Sequence, residues 1–527
     1  MRQIEILDTS LRDGAQAEGI FYSLEDKLRI AYALDQLGVG FIEAGNPHSN
    51  PKDTELFRRI AEHPFQNAKL VAFGATRKPG IPAQEDAGCV ALAQAGTEYV
   101  SIFGKSWSLH VTDVLKTSLS ENLAMIRETV AYFVAMGKQV FYDAEHFFDG
   151  YRENPAYALQ TLQAAQDAGA RTIILCDTNG GCFPQEIAQV VQDVKKVCSV
   201  PLGIHCHNDM ECAVAASLMA VQAGCDHVQG TLLGYGERCG NANLSAIIPT
   251  LQLKMKCQCI PLNNLSELTH TARFVAEVAN YIIPSSLPYV GKSAFSHKGG
   301  MHVDGVQKLH RSFEHIDPEA VGNRRNLLVS EMAGRGAILN RIMRIDPTVT
   351  KFSPVTERII HHIKELEYQG YQFESALASI DVLIHKELGK MKEYFTLHHF
   401  RIMGQQHKEI ADSQLASAIV KIQVGEKEAI TAAEGHGPVH ALDKALREAL
   451  EGFYPSLAKV RLIDYKVRVM SPEDATAAVV RVLIESTDGE HVWTTVGASP
   501  DIIEASWKAL VDSIEYKLLQ DDLRSRL

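Results

Sequence analysis

The segment 205–209, His-Cys-His-Asn-Asp, combines the residue types and the spacing best suited to chemistry in this chain. It follows the apolar run 201–204, which predicts a buried strand that ends at this point. Because successive side chains of a strand point to opposite faces, His205 and His207 should share one face and Cys206 should point away. Either histidine alone would most simply be a core residue. Two imidazoles in register at a strand end, however, form half of a divalent-metal site.

Eight short apolar runs in the first half of the chain predict the strands that must position such a site. They cover residues 4–8, 38–44, 69–74, 99–103, 139–143, 172–176, 201–205 and 227–231. Segments with helical periodicity separate these runs, and this alternation over about 250 residues is typical of an α/β fold, the (β/α)8 TIM barrel. The alternative is a doubly wound open sheet, but the turn at 8–14 lacks the GxGxxG pattern of such folds.

Polar residues follow the predicted strands, at the end where the active site of a barrel lies. Those suited to chemistry are Arg12, Asp13, Glu43, Lys105, Glu145, Thr178, His205, His207 and Asn241. Strands one and seven flank strand eight in a barrel, so Asp13 could reach the ion held by the histidine pair. Asn241, just past strand eight, could add a carbonyl oxygen. Polar helix caps such as Ser23 explain only part of this pattern.

One carboxylate and two imidazoles leave positions on a divalent ion open for water and substrate, and Mn, Mg, Zn, Co and Fe all suit this ligand set. Such an ion beside Arg12 suits a 2-oxo acid, because Arg12 can oppose the negative charge that grows on the keto oxygen. A structural ion pair of Arg12 with a neighbour such as Asp8 is the alternative. Glu145 could transfer a proton or orient another base, and Thr178 could donate a hydrogen bond to the substrate carboxylate.

The composition is that of an ordinary globular protein. Of the 527 residues, 46% are hydrophobic and 22% are charged, and the net charge is −12. This charge argues against nucleic acid or an acidic membrane as a partner, and no apolar run is long enough to cross a bilayer. The N-terminus opens into a strand pattern without signal-peptide features, and the ten cysteines show no CxxC spacing. We therefore expect a cytoplasmic protein with reduced thiols.

Three parts are predicted along the chain: a catalytic barrel at 1–282, linker subdomains at 283–392 and a C-terminal regulatory or dimerisation domain at 393–527. The linker carries a glycine-rich stretch with His302, whose simplest interpretation is an exposed residue, with Asp304 or Glu145 as a possible partner. The C-terminal part looks duplicated, with a strand-turn-strand-helix unit near 416–452 and another near 477–518. Such units predict a small α+β domain.

Four motifs resemble those of the 2-isopropylmalate, homocitrate and citramalate synthase family, and the resemblance covers essentially the whole chain. The motifs are 8–16 (DTSLRDGAQ), 205–209 (HCHND), 234–241 (GYGERCGN) and 293–304 (SAFSHKGGMHVD). Within the family, the runs 103–107 and 142–150 are those expected of the citramalate synthase subgroup. The resemblance implies an acyltransferase that uses a divalent metal to join acetyl-CoA to pyruvate, giving (R)-citramalate and CoA in a threonine-independent route to isoleucine.

The resemblance also implies roles for individual residues. The metal ligands would be Asp13, His205, His207 and Asn241. Arg12 would polarise the keto group, Glu145 would lie near the acetyl group and Thr178 would contact the substrate carboxylate. A bulky Tyr142 near the site would favour the small methyl group of pyruvate. His302, supplied by a neighbouring subunit, would help to remove the acetyl α-proton, which implies a homodimer.

The duplicated domain, on an enzyme at the entry to a pathway, suggests end-product inhibition with isoleucine as the effector. Arg324 and Arg325 depart from the family, because some members carry a catalytic tyrosine near this position. A synthase for another 2-oxo acid, a related metal-dependent lyase and a non-catalytic effector-binding protein stay open. A biotin-dependent carboxyltransferase would carry a Met-Lys-Met biotin acceptor, which is absent, and an amidohydrolase would usually place its histidine pair on the first strand.

Overall fold

The computed structural model describes residues 1–297, 300–327, 335–404, 416–470 and 478–525. The chain divides into two compact units, which we call the barrel unit and the second unit. The barrel unit comprises Met1–Ser296 and Glu314–Arg325, and the second unit comprises His297–Phe313 and Asn326–Leu527. Within the described ranges, no helix is long and apolar enough to cross a membrane. The domain boundaries at residues 282 and 392 stay predictions.

Eight parallel strands form a closed barrel in chain order, which confirms the predicted fold class. They are β1 (Glu5–Asp8), β2 (Phe41–Gly45), β3 (Lys69–Ala75), β4 (Tyr99–Lys105), β5 (Gln139–Glu145), β6 (Thr172–Asp177), β7 (Leu202–Cys206) and β8 (His227–Gly230). Asp8 pairs with Gly230, and His205 pairs with Gln229. The ends of β1, β7 and β8 therefore lie at one rim of the barrel.

Helices alternate with the strands of the barrel unit. They are α1 (Leu24–Leu37), α2 (Pro51–Glu62), α3 (Ala87–Gln94), α4 (Leu119–Ala135), α5 (Phe147–Glu153), α6 (Pro155–Asp167), α7 (Pro184–Val194), α8 (Ala213–Ala223), α9 (Leu244–Pro249) and α10 (Leu268–Val278). Ser23 caps α1 by accepting a hydrogen bond from the Asp26 N–H. Helix α1 ends at Gly38, whose φ of 88° lies in the left-handed region, so β2 starts at Phe41 and not at the predicted residue 38.

A cluster of apolar side chains closes one end of the barrel interior, and polar side chains line the other end. Leu7, Phe41, Val71 and Phe141 form a buried cluster, in which the rings of Phe41 and Phe141 meet edge to face at 5.1 Å. Most of these residues lie near the start of their strands, so the cluster closes that end of the barrel. Polar side chains occupy the rim at which the strands end, as in other barrels of this kind.

The second unit contains helices and two antiparallel sheets of three strands each. Its helices are α11 (Gly300–Lys308), α12 (Arg335–Ile345), α13 (Pro354–Tyr368), α14 (Leu377–Glu387), α15 (Pro438–Glu451) and α16 (Ile502–Arg524). The strands after the barrel are β9 (Ser296–His297), β10 (Asn326–Leu327), β11 (Thr396–Gly404), β12 (Ala416–Val424), β13 (Lys427–Gly435), β14 (Arg461–Val469), β15 (Val480–Thr487) and β16 (Val492–Ser499). Strands β9 and β10 form a two-stranded sheet.

Each of the two larger sheets carries its own helix. Helix α15 packs on β12 and β13, and α16 packs on β15 and β16. The sequence predicts two strands per copy, whereas each copy has three. The additional strands, β11 and β14, contain no fully buried residue, and an irregularity in register interrupts each of them, so their burial does not alternate regularly along the whole strand.

Candidate active site at the rim of the barrel

Asp13, His205 and His207 meet at the rim where the strands end. Asp13 Oδ2 lies 3.3 Å from His205 Nε2 and 4.0 Å from His207 Nε2. All three side chains are buried, and one ligand atom from each lies within 4.8 Å of the others. In the part of the chain that the structure describes, no other group of three His, Cys, Asp or Glu side chains is arranged so that it could hold a metal ion. Cys206 is buried beside Ser217 of α8, on the other face of the strand, as alternation predicts.

The charges in this cluster suit metal binding. Burial lowers the pKa of His207 to about 4, and the neighbouring His205 adds to the effect, so His207 is neutral near pH 7. Burial opposes the ionisation of Asp13, but Arg12 and His205 outweigh it and hold the pKa of this carboxyl well below its ordinary value. A carboxylate and a neutral imidazole are the forms in which these groups bind a metal ion.

Two buried polar atoms of the cluster have no hydrogen-bond partner among the described residues, His207 Nδ1 and Asn241 Oδ1. The Asn241 amide lies against the cluster, with Nδ2 2.9 Å from Asp13 Oδ2 and 3.4 Å from His205 Nε2. Since a half-turn of an amide exchanges its oxygen and nitrogen, Asn241 can present an oxygen at the same point. This set of one carboxylate, two imidazoles and one amide fits a divalent ion.

Gly236 packs against the side chain of Asn241. A methyl group at position 236 would lie 1.8 Å from Asn241 Oδ1, which is far closer than two such atoms can approach. Asn241 is buried and hydrogen-bonded to Asp13, so it cannot move aside without leaving the cluster. The absence of a side chain at Gly236 therefore permits the observed position of Asn241.

Arg12 enters the site from the loop after β1. Its Nε donates to Glu43 Oε2 at 2.6 Å, its Nη1 lies 3.5 Å from Asp13, and its guanidinium carbon lies 3.8 Å from the centre of the Phe73 ring. The sequence also allowed a structural ion pair of Arg12 with a neighbouring carboxylate such as Asp8, and the structure gives it two ion pairs, with Glu43 of β2 and with Asp13, but none with Asp8. Burial raises the pKa of Glu43 to about 7, although Arg12 opposes the shift.

The cluster opens into a cavity of about 210 Å³. Its wall is formed by Arg12, Asp13, Gln16, Phe73, Phe103, Asp143, Glu145, Cys176, Thr178, His205, His207 and Glu237. The rings of Phe73 and Phe103 stack with their centres 5.2 Å apart and form the apolar part of the wall. A small volume with an apolar wall and a few convergent polar groups suits a small acid that carries a carbonyl group.

Glu145 and Thr178 both line this cavity, from the ends of β5 and β6. Glu145 forms an ion pair with Lys105 on the neighbouring strand. The hydroxyl oxygen of Thr178 accepts a hydrogen bond from the backbone N–H of His146 at 2.8 Å. The hydroxyl proton of Thr178 is therefore available to a ligand carboxylate. Both residues therefore line the cavity, and their roles in the reaction stay predictions.

Tyr142 does not reach the cavity, which corrects the expectation that its ring limits the size of the substrate. Tyr142 is completely buried. A side chain at Gly104 would meet both the Tyr142 ring and Ile126 of α4, which places this ring between the barrel and the helix. Side chains alternate along β5, so Asp143 and Glu145 point inward and Tyr142 points outward. The residue of this segment that lines the cavity beside Glu145 is Asp143.

Two further residues singled out in the sequence, His302 and Arg325, have partners of their own. His302 belongs to α11 of the second unit, is exposed, and has its ring 4.5 Å from that of Phe313. Its part in proton removal stays a prediction. Arg325 makes two hydrogen bonds of 2.7 Å to the buried carboxylate of Glu314, so this arginine is engaged in a structural ion pair.

Two side chains inside the barrel, Gln229 and Asp143, were not predicted from the sequence. Both are buried, they are hydrogen-bonded to each other, and Gln229 also contacts His205. Strand alternation carries the signal that could have found them. Gln229 stands two residues after the inward-facing His227, and Asp143 stands two residues before Glu145.

Three family models match successive parts of the chain: HMGL-like at residues 3–275, homocitrate synthase post-HMGL domain-like at 289–370, and LeuA allosteric (dimerisation) domain at 374–518. The chain is 51% identical to the (R)-citramalate synthase of Aquifex aeolicus over 99% of this chain and 98% of that one. It is 49% identical to the (R)-citramalate synthase of Geobacter sulfurreducens, with 98% of each chain covered. A 2-isopropylmalate synthase of Pseudoalteromonas atlantica is 31% identical over 99% of this chain and 97% of that one.

The closed barrel, with a buried aspartate and a histidine pair at the rim where its strands end, defines an enzyme of the HMGL-like class. The similarity to the synthases extends beyond the barrel and through the region that matches the dimerisation domain. The chain belongs to the (R)-citramalate synthase family, a group of acyltransferases that also resembles the 2-isopropylmalate synthases.

Proposed function

We propose that this chain condenses acetyl-CoA with pyruvate and releases (R)-citramalate and CoA. The observation that carries the proposal is the position of Arg12 beside Asp13, His205 and His207 in one small cavity. Relatives named (R)-citramalate synthase, at 51% and 49% identity over nearly the full length, support this choice of substrates.

The proposal includes one divalent ion. Asp13, His205 and His207, with Asn241 as the fourth ligand, would hold this ion, which supplies positive charge and open coordination positions for a 2-oxo acid. Mn, Mg, Zn and Co are all compatible with the ligand set. The orphaned Asn241 oxygen and the neutral His207 support this assignment.

The residues of the chain supply the other elements of the reaction. Arg12 stabilises the negative charge that develops on the keto oxygen as the new carbon–carbon bond forms. Glu43 holds the guanidinium at 2.6 Å, so its orientation is set before the substrate binds. Thr178 donates its hydroxyl proton to the substrate carboxylate. Glu145 assists the transfer of the acetyl α-proton, which His302 of a neighbouring subunit helps to remove.

The proposed reaction balances in two steps. The acetyl methyl carbon loses a proton and bonds to the keto carbon of pyruvate, whose oxygen takes up a proton to give a tertiary alcohol. Water then cleaves the thioester, so that the free carboxylate of citramalate and the thiol of CoA are released. The loss of the thioester makes the overall reaction effectively one-way.

The cavity supports pyruvate as the 2-oxo acid. Phe73 and Phe103 form its apolar wall, so they take the place that the sequence analysis gave to Tyr142. In a volume of about 210 Å³ shared with polar groups, the methyl group of pyruvate is more easily accommodated than a branched side chain. Apolar pockets separate substrates that differ by one methylene group by only about 10- to 200-fold, so closely related oxo acids should react slowly.

An adjoining cavity of about 430 Å³ offers a place for the pantetheine arm of acetyl-CoA. It shares Arg12, Gln16 and Phe73 with the smaller cavity, so a thioester carbonyl could lie where the two meet. Lys52 adds a positive charge to its wall, and the exposed ring of Phe21 adds an apolar surface.

The match of residues 374–518 to a dimerisation domain supports a homodimer. We also propose that this region binds an amino-acid effector, with isoleucine as the expected one, and that the enzyme works in the cytoplasm at the entry to a threonine-independent isoleucine route. Titration of the full-length enzyme with isoleucine, leucine and valine tests this assignment. Inhibition by leucine alone would contradict it.

A substrate panel tests the reaction itself. The full-length protein is incubated with acetyl-CoA and with pyruvate, 2-oxobutyrate, 2-oxoisovalerate or 2-oxoglutarate, and a thiol reagent reports the CoA released, with and without chelator. We expect the fastest release with pyruvate and its loss on chelation. Faster release with 2-oxoisovalerate would indicate a 2-isopropylmalate synthase, the activity named for a relative at 31% identity. No release with any oxo acid would indicate a non-catalytic protein.

A further inference from the structure

A chain of hydrogen bonds runs through the interior of the barrel behind His205. His205 Nδ1 lies 2.9 Å from Gln229 Oε1, and Gln229 Nε2 donates to Asp143 Oδ1 at 2.9 Å. The hydroxyl group of Ser101 then donates to Asp143 Oδ2 at 2.6 Å. All four side chains are buried, and they belong to four different strands, β7, β8, β5 and β4.

The direction of this chain is fixed from its far end. Both oxygens of Asp143 accept hydrogen bonds, one from Ser101 and one from the amide nitrogen of Gln229. With its nitrogen committed to Asp143, Gln229 can offer only its oxygen to His205. His205 must therefore carry its proton on Nδ1. Nε2, the nitrogen that lies 3.3 Å from Asp13 in the metal cluster, is then the one that can bind a metal ion, once it gives up its own proton.

We propose that Gln229 and Asp143 are positioning residues that select the tautomer of His205 able to bind a metal and fix the angle of its ring. The inference rests on the proposed metal-dependent function. It adds to that function two residues that act only through His205. Asp143 borders the cavity, but both of its oxygens are occupied by protein donors.

His207 provides a contrast within the same cluster. Its Nδ1 is buried and has no hydrogen-bond partner among the described residues. His205 is therefore the imidazole whose orientation the barrel interior fixes. Buried partners of metal-bound histidines typically contribute about 10- to 100-fold to metal affinity, so loss of this chain should be measurable as weaker binding.

The first test measures the affinity of the metal-depleted full-length protein for Mn²⁺ and Co²⁺ by competition with a chromophoric chelator. Gln229→Leu should weaken binding about 10- to 100-fold. Gln252→Leu is the matched control, because Gln252 is also buried and accepts a hydrogen bond from the Ile260 N–H at 3.0 Å, but outside the cluster. This control should bind metal like the wild type even if it melts at a lower temperature.

The second test exchanges donor and acceptor. Gln229→Glu alone places two carboxylates at a contact that spans 2.9 Å in the wild type. Asp143→Asn alone leaves one oxygen and one amide nitrogen where the wild type has two acceptors, so residue 143 no longer fixes which atom of Gln229 faces His205. In the double variant, the new amide at position 143 can donate to the new carboxylate at 229, which still accepts from His205. We expect each single variant to bind metal more weakly and the double variant to recover to within about 3-fold of the wild type.

The visible absorption spectrum of bound Co²⁺ reports the geometry of the site in each variant. Recovery of affinity and spectrum in the double variant would support a positioning role, because a general loss of packing is not repaired by a reversed hydrogen bond. A double variant no better than its single variants would overturn the proposed direction. Equal affinity of the wild type and Gln229→Leu would overturn the positioning role and leave the proposed function intact, whereas a wild type that binds no divalent ion would overturn both.

Discussion

Arg12 Nε lies 2.6 Å from Glu43 Oε2 inside the barrel rim, and the Glu43 side chain is completely buried. The other carboxylate oxygen of Glu43 has no partner among the described residues. Burial raises the pKa of Glu43 to about 7, against the opposing effect of Arg12. The ion pair therefore forms fully only when this carboxyl is ionised, so the orientation of the guanidinium depends on pH near neutrality.

Glu43→Gln should remove this dependence. In the wild type, kcat/KM should rise as the pH passes through about 7, because ionised Glu43 holds Arg12 toward the substrate. The variant should be about 10-fold slower at alkaline pH and should show no such rise in a pH–rate profile. Glu128→Gln is the control, because it removes a partner of Arg77 at 2.6 Å outside the cavity. A rise of equal size in Glu43→Gln would contradict the prediction.

Asp8→Asn should change how stability depends on pH. Asp8 is completely buried, and burial raises its pKa from 3.8 to about 7. The folded state thus favours the protonated form, and this contribution to stability is complete below pH 3.8 and is lost as the pH rises toward 7. Between about pH 5 and 8, the wild type should lose about 3 kcal/mol of its free energy of unfolding through this group, and the variant should not.

Chemical denaturation of both proteins at the two pH values measures this difference. Asp113→Asn, a change at an exposed acid, is the control and should leave the pH dependence as it is in the wild type. If Asp8→Asn lost as much stability as the wild type over this range, another group would have to be responsible.

Removal of a metal ligand should abolish both metal binding and activity. Chelation of the wild type should stop the release of CoA, and addition of Mn²⁺, Mg²⁺, Zn²⁺ or Co²⁺ should restore it. Asp13→Ala and His205→Ala should be inactive with any of these ions, with a loss of about 1000-fold or more. His227→Ala is the control, because His227 is equally buried but packs 4.9 Å from Phe141 at the closed end of the barrel. It should lower stability and leave metal affinity unchanged.

Phe103→Ala should widen the specificity for the 2-oxo acid. Removal of the ring that stacks on Phe73 enlarges the apolar side of the cavity. The ratio of kcat/KM for 2-oxobutyrate to that for pyruvate should rise about 10-fold. Phe183→Ala, at a ring that is 60% exposed and absent from the cavity wall, should leave the ratio unchanged. An unaltered ratio in Phe103→Ala would show that another part of the site selects the substrate.

The features predicted correctly from the sequence depend on local patterns. The barrel follows from alternating strand and helix patterns, and the register of His205 and His207 follows from the geometry of a single strand. The approach of Asp13 to this pair required only that β1 and β7 both neighbour β8, which a closed barrel of eight strands guarantees.

Two of the features that were missed depend on contacts between side chains of different strands. Arg12 could have paired with any carboxylate near the rim, and only the packed barrel selects Glu43 of β2 rather than Asp8. The error at Tyr142 was one of parity, because alternation from Glu145, which was predicted to lie in the site, already places Asp143 inward and Tyr142 outward. Alternation could have placed Gln229 on the inward face, but its partners lie on two other strands, which no local pattern connects.

The contact between Gly236 and Asn241 has a genetic consequence. Gly236→Ala adds one methyl group and no charge, yet it would displace the amide that borders the metal cluster. The residue lies in a loop rather than in the hydrophobic core, so the barrel should still fold and accumulate in the cell. In a screen for loss-of-function alleles, we therefore expect this glycine to appear together with the ligand residues, although it carries no functional group of its own.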